Sequence, residues 1–132
     1  MTEASDCFQK EFLPDGIIIY RIQISTGECA DLWFDDLAAE FARAKAEKRD
    51  SRLLYDLRKM SKATPYMMQR MQQLASLPEL PEKWFVASVT GNSFVTGVVH
   101  FVKTISLFDS KLFDQSQIFD GEPEALEWLR SR

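Results

Sequence analysis

Residues 83–90 read Lys-Trp-Phe-Val-Ala-Ser-Val-Thr, a near-continuous apolar run that ends at Gly91. Such a run is typical of a parallel β-strand that is covered on both faces. Residues 52–58, Arg-Leu-Leu-Tyr-Asp-Leu-Arg, form a second short run of the same kind. Between the two runs, Thr64-Pro65 predicts the start of a helix, with threonine as its cap and proline at its first position. This part of the chain therefore predicts a strand, a helix and a second strand joined by a parallel crossover.

The flanking segments extend this alternation of strands and helices. We predict further strands at residues 8–13, as an edge strand, at 16–24, after a turn at 14–16, and at 113–119. The predicted helices are 31–48, 65–77, 94–108 and 122–130. The first helix has one apolar face, which carries Phe34, Leu37, Phe41 and Ala44. The order predicts an α/β fold with a mixed, mainly parallel β-sheet and about four helices.

Length and composition restrict the class of protein. The 132 residues, 45% hydrophobic and 27% charged, predict a single domain over residues 1–132. The net charge of −4 argues against a nucleic-acid partner or an anionic membrane surface, and no apolar stretch is long enough to span a bilayer. The first residues are acidic and polar, unlike a secretory signal, so we expect a cytoplasmic location.

Residue types that carry out catalysis or hold metals are sparse and scattered. Cys7 and Cys29 form no CxxC pair and have no histidine nearby, so we interpret them as reduced thiols; a disulfide between them depends on geometry that the sequence does not give. His100 is the only histidine and falls inside a predicted helix. No nucleophile motif and no glycine-rich phosphate loop is present. We therefore predict no catalytic residue, no metal site and no cofactor.

Polar residues follow the predicted parallel strands and form the candidate ligand site. In an open α/β sheet, ligands bind in the crevice at the carboxyl ends of the strands. Exposed amides at the glycine turn before a helix could also hold an anion there, although a plain turn with Ser93 as the helix cap is the better explanation. The candidate ligand-binding residues are Asp56, Arg58, Thr90, Gly91, Asn92 and Ser93.

The predicted helix 94–108 is apolar on more than one side. Its main stripe could pack in the core, form a homodimer contact or line a cavity for an apolar ligand. Methionines of the preceding helix would suit an adaptable apolar surface of either kind. The candidate interface or pocket residues are Phe94, Val98, Phe101, Ile105, Phe108, Met67 and Met71.

Several features together resemble a known family. They are the two strands at the start, Leu53-Leu54-Tyr55-Asp56-Leu57-Arg58 before a loop and helix, Val86-Ala87-x-Val89 before Gly91-Asn92, and the ending Phe119-Asp120-x-x-x-Glu124-Ala125-Leu126-x-Trp128-Leu129. Over nearly its whole length the chain resembles the SpoIIAA-like branch of the STAS, or anti-anti-sigma factor, domains.

The resemblance implies a small sheet layered with helices and a non-enzymatic regulatory or protein-binding function. In regulatory STAS proteins a serine at the helix start after the Asp-Leu strand is phosphorylated, whereas this chain has Ala63-Thr64-Pro65-Tyr66 there. Ser61 and Thr64 are the remaining candidate phosphorylation sites. More distant relatives of the family are lipid-transfer domains, which implies an alternative function as a carrier of an apolar small molecule.

Overall fold

The computed structural model describes residues 2–4, 7–23, 26–60, 64–73, 81, 83–91, 97 and 116–132. These residues form six strands and three helices. The strands are β1 (Thr2–Ala4), β2 (Phe8–Phe12), β3 (Ile17–Ile22), β4 (Ser51–Asp56), β5 (Trp84–Val89) and β6 (Ser116–Phe119). The helices are α1 (Gly27–Ala46), α2 (Pro65–Gln73) and α3 (Glu122–Arg130).

The six strands form one sheet in the order β1-β2-β3-β4-β5-β6. The pairs β1–β2 and β2–β3 are antiparallel, and the three following pairs are parallel. The α/β class and the mixed, mainly parallel sheet are thus confirmed. The prediction that residues 8–13 form an edge strand was wrong in one respect, because β1 pairs with the outer side of β2, with Thr2 opposite Glu11.

Each face of the sheet has its own apolar core. On one face, α1 packs Trp33, Leu37 and Phe41 against side chains of β3, β4 and β5. On the other face, α3 packs Ala125 and Leu129 against Ile17, Ile19, Leu54, Ala87 and Val89. Because side chains alternate along a strand, the near-continuous apolar runs of β3, β4 and β5 supply both cores.

The first helix starts earlier than the sequence pattern predicts. It begins at Gly27, because the Thr26 side chain accepts a hydrogen bond from the Cys29 backbone N–H at 3.4 Å and caps the first turn. The four predicted apolar residues of this helix are all buried, as expected. Of the helix predicted at 94–108, only Gly97 is among the described residues, and it is helical.

The interpretation of the cysteines as reduced thiols was wrong. The structure joins Cys7 and Cys29 in a disulfide with their Cα atoms 5.2 Å apart, within the range that such a bond requires. Cys7 lies just before β2 and Cys29 lies in the first turn of α1. The two residues are 22 positions apart, and only the packing of α1 beside β2 brings them together.

Candidate functional site

The parallel strands place a pair of opposite charges at the carboxyl end of the sheet. Arg21 in β3 is the register partner of Asp56, the last residue of β4. By strand alternation both side chains lie on the same face as Ile19 and Leu54, the face that α3 covers. The two charged side chains therefore lie on the face of the sheet that α3 covers, just beyond the apolar core on that face.

Asp56 is held by two arginines. Arg21 Nη1 donates to Asp56 Oδ2 at 2.7 Å. Arg58 donates from Nε to Oδ1 and from Nη2 to Oδ2, both at 2.9 Å, and its backbone N–H lies 3.2 Å from Oδ1. The two-pronged contact with Arg58 fixes the plane of the carboxylate as well as its position. Asp56 is a rigid acceptor whose hydrogen-bonding atoms are already occupied.

These contacts set the ionisation of Asp56. Its partial burial by itself raises the pKa, but the hydrogen bonds from Arg58 and Arg21 outweigh this effect and lower the pKa to about 2. The carboxyl group is therefore ionised at every pH at which the protein would work. A carboxylate this acidic stabilises a fixed arrangement of charges and is a poor general base near neutrality.

Arg21 connects Asp56 to two further carboxylates. Its Nη1 lies 2.9 Å from Glu122 Oε1 at the start of α3, and its Nη2 lies 3.3 Å from Glu11 Oε2 on β2. We call Arg21, Asp56, Arg58, Glu122 and Glu11 the carboxyl-end cluster. It links β2, β3, β4 and α3 through side chains alone.

A shallow depression opens beside this cluster. It offers only about 20 Å³ of free space and is lined by Gln9, Arg21, Ile22, Gln23, Asp56 and Lys59. Lys59 is exposed at its rim, and the Arg58 side chain next to it is 43% exposed. Pockets that enclose small molecules are usually larger, on the order of 300–1,000 Å³. The depression is therefore a shallow surface feature beside the charged cluster and not an enclosing pocket.

The structure brings together three of the six predicted ligand-binding residues. Asp56 and Arg58 form the ion pair described above, and Gly91 lies against the Arg58 side chain, since a Cβ built on Gly91 would be 3.6 Å from Arg58 Cγ. Thr90 is buried and its backbone N–H donates to the Phe119 carbonyl at 3.2 Å. Asn92 and Ser93 lie outside the described residues.

Most of the other predicted site residues fall outside the described part of the chain. Thr64 is described and directly precedes Pro65, the first residue of α2, as predicted. Ser61, His100 and the side chains predicted to form an interface or pocket lie outside the description. These interface residues are Phe94, Val98, Phe101, Ile105 and Phe108, together with the side chains of Met67 and Met71.

Sequence reasoning missed Arg21, Glu122 and Glu11. One signal was available: Arg21 is the only charged residue in the apolar run 17–22, and like Asp56 it lies near the end of its strand. To predict that Arg21 pairs with Asp56, the register of β3 against β4 must be known, and no local sequence pattern gives this register.

A second charged cluster, also missed, lies on the α1 face. Lys10 Nζ lies 2.7 Å from Glu40 Oε1 and 2.9 Å from Asp36 Oδ2, and the Lys10 and Glu40 side chains are only 4% and 2% exposed. Tyr20 donates its hydroxyl to Asp36 at 2.7 Å. Burial and this hydrogen bond raise the pKa of Tyr20. The available signal was a charge at a core position: Lys10 falls between Phe8 and Phe12, and all three occupy one face of β2.

Two buried polar groups in the core beneath α1 have no hydrogen-bond partner within the described part of the chain. They are Trp33 Nε1 and the Tyr55 hydroxyl. The two rings meet edge to face with centroids 5.6 Å apart. Burial raises the pKa of Tyr55, so the hydroxyl keeps its proton and remains a donor. An unpartnered buried donor is costly, so each of these groups would bind an acceptor if one entered the core.

Among the residues that the structure describes, no three histidine, cysteine or acidic side chains lie close enough together to hold a metal ion. The same described residues include no helix of the length and apolarity needed to cross a membrane. What the carboxyl end offers is a fixed array of charges at a shallow surface.

Comparison with protein-family models, with curated proteins and with solved structures finds no match to this chain. The class that the structure supports is an α/β protein with a mixed six-stranded sheet.

Proposed function

We propose that this chain is a non-enzymatic, cytoplasmic STAS-like regulatory module that binds a protein partner at the carboxyl end of its sheet. The observation that carries the proposal is the clamping of Asp56 by Arg21 and Arg58 beside a shallow depression. The resemblance of Leu53–Arg58 and of the chain's ending to SpoIIAA-like domains supports the regulatory part.

The charges of this surface favour a protein partner over a small substrate. The ion pairs fix the cluster before binding, so little side-chain freedom would be lost on association. Arg58 and Lys59 remain exposed at the rim, next to the acidic Glu11 and Glu122. A surface that carries both signs of charge in a fixed pattern selects a partner by electrostatic complementarity.

Site-specific photocrosslinking tests the partner surface. A photoreactive amino acid is introduced at position 59 in the native host, and at position 45 as the matched control. Both positions are exposed lysines, but Lys45 lies near the C-terminal end of α1, away from the depression. We expect a discrete protein adduct at position 59 and none at position 45. Equal adducts at the two positions, or none at position 59, would contradict the proposal.

The proposal includes a homodimer and a phosphorylation switch at Ser61 or Thr64. Thr64 stands at the N-terminal end of α2, where a phosphate is electrostatically favoured. Light scattering after size exclusion tests the dimer, which a monomer mass would contradict. Phosphopeptide mapping in the native host tests the switch, together with the effect of Thr64→Asp on the adduct at position 59. If no phosphopeptide is found and Thr64→Asp leaves the adduct at position 59 unchanged, the chain has no such switch.

A second candidate function, carriage of an apolar small molecule, is favoured by the unpartnered donors Trp33 Nε1 and Tyr55 OH. A ligand that carries an acceptor atom would gain a hydrogen bond by reaching either of these donors. Native mass spectrometry of gently purified protein should then show a bound molecule. Tyr55→Phe should lose it, whereas Tyr20→Phe, whose hydroxyl already has a partner in Asp36, should keep it. Protein that is empty in every preparation excludes this function.

A further inference from the structure

The disulfide joins the start of α1 to a segment whose neighbouring residues line the depression at the carboxyl end. Cys7 lies opposite Gln23, whose backbone N–H donates to the Cys7 carbonyl at 3.2 Å. Gln23 and Gln9, which lies two residues after Cys7, both line the depression. On the other side, Cys29 belongs to the first turn of α1 and donates to the capping Thr26. The bond therefore connects one wall of the depression to the start of a helix.

The disulfide itself is buried, with Cys7 8% and Cys29 7% exposed. Neither Cys7 nor Cys29 belongs to either of the two apolar cores. A second tie between β2 and α1 exists further along both elements, where Lys10 pairs with Glu40 and Asp36. Opening the disulfide would therefore leave both cores and one tie in place, and would free only the segment around Cys7.

We propose that Cys7 and Cys29 form a reversible thiol–disulfide pair that holds the wall of the depression in place when oxidised and releases it when reduced. The proposal rests on the proposed cytoplasmic location and on the proposed use of this surface. In a reducing compartment, disulfides are usually transient and serve catalysis or redox sensing, whereas a purely structural bond is typical of oxidising compartments.

The reaction needs a dithiol reductant and proceeds by two exchanges. A thiolate of the dithiol attacks one protein sulfur, forms a mixed disulfide and releases the other cysteine as a thiolate, which takes up a proton. The second thiolate of the reductant then attacks the mixed disulfide and releases the remaining cysteine, which is protonated in turn. Two electrons pass to the protein, and the reductant leaves as its own disulfide. Oxidation by a low-molecular-weight disulfide reverses both exchanges.

Amide hydrogen exchange on the full chain tests the structural effect. Oxidised protein is compared with protein reduced by dithiothreitol. We expect exchange at Phe8, Gln9 and Gln23 to accelerate on the order of tenfold on reduction, by local opening, with no change at Leu53 and Leu54 in β4. Because the comparison uses the unaltered sequence, it does not depend on whether a cysteine variant folds. Unchanged exchange around Cys7, or global unfolding on reduction, would overturn the proposal.

Thiol trapping in the native host tests reversibility. Cells are quenched with acid, and free thiols are alkylated with a maleimide that adds mass. We expect a reduced population that converts to the disulfide form within minutes of a diamide pulse and then recovers. A chain that is always oxidised would be a structural disulfide, and one that stays reduced under oxidant would have no switch; either result overturns the proposal. Neither readout involves a partner, so failure of the crosslink at position 59 is distinguishable from failure here.

Discussion

At the scale of single residues, Asp56 organises the carboxyl end of the sheet. Its side chain is 10% exposed and receives hydrogen bonds from Arg21 and from two atoms of the Arg58 guanidinium. A buried carboxylate is tolerated only where such partners replace water. Since Arg21 in turn meets Glu122 and Glu11, removing one carboxyl charge would disturb contacts from three other elements.

Asp56→Asn should lower the free energy of unfolding by about 2 kcal/mol at pH 7. This is the free energy that corresponds to a shift of the Asp56 pKa from 3.8 to about 2 on folding. Because the folded pKa lies below the ordinary one, this contribution is complete above about pH 5 and is lost as the pH falls through about 2. The difference between variant and parent should therefore be roughly halved at pH 3.

Urea unfolding at pH 7 and pH 3 measures this difference, with Asp50→Asn in an exposed loop as the control. Urea is preferable to a guanidinium salt because it does not screen the ion pairs. An Asp56→Asn deficit that is the same at both pH values would mean that the loss comes from packing and not from charge.

At the scale of elements, β2 and α1 are joined by polar contacts in addition to apolar ones. Lys10 is cross-strand neighbour to Tyr20, and both side chains meet carboxylates of α1. The Lys10 ammonium also lies 4.8 Å from the centre of the Phe12 ring, a favourable cation–π distance. This buried network fixes how far α1 can slide along the sheet.

Lys10→Met should destabilise the protein by about 2 kcal/mol, because the buried carboxylate of Glu40 loses its hydrogen bond from Lys10 and keeps the one from the half-exposed Arg43. The double variant Lys10→Met with Glu40→Met should recover part of this loss, since no unpaired charge remains in the core. A double-mutant cycle from urea unfolding measures the coupling. Strictly additive losses would show that the two side chains do not stabilise each other.

The docking of α3 on the opposite face depends mainly on apolar burial. Leu129 is fully buried in the second core, whereas Leu126 is only partly buried. We expect Leu129→Ala to cost about 3 kcal/mol of unfolding free energy through the cavity it leaves, and Leu126→Ala to cost clearly less. Thermal and urea unfolding of the two variants provide the comparison. Equal losses would contradict the packing described for α3.

At the scale of the whole molecule, the helices cover some strands of the sheet more than others. The strands β3, β4 and β5 are covered by α1 on one face and α3 on the other, while β1 is a three-residue strand at the end of the sheet order. Local opening requires the least free energy where few buried contacts are lost. The parallel centre should therefore behave as the most stable unit and the antiparallel end as the least stable.

Native-state hydrogen exchange should rank the strands accordingly. We expect the slowest amides in β4, paired on both sides, and the fastest strand amides in β1. The measurement uses oxidised protein, so that the disulfide holds β2 in place. Amides of β1 that exchange as slowly as those of β4 would contradict this order.

The sequence by itself determined the alternation of strands and helices in the described part of the chain and the buried face of α1, although the strand predicted at 52–58 runs two residues past the end of β4 at Asp56. These features follow from local periodicity, since apolar side chains must share one face of a helix or alternate along a strand. The sequence also placed Arg58 and Gly91 at the carboxyl ends of neighbouring strands, and the structure brings these two residues together.

Only the tertiary structure decided the pairing of Arg21 with Asp56, the burial of Lys10 against Glu40, the pairing of β1 and the bond between Cys7 and Cys29. Each joins residues from different elements, so it depends on strand register and on how a helix lies across the sheet. A shift of one residue in register would turn Arg21 to the opposite face, and nothing in the local pattern around Arg21 distinguishes the two arrangements.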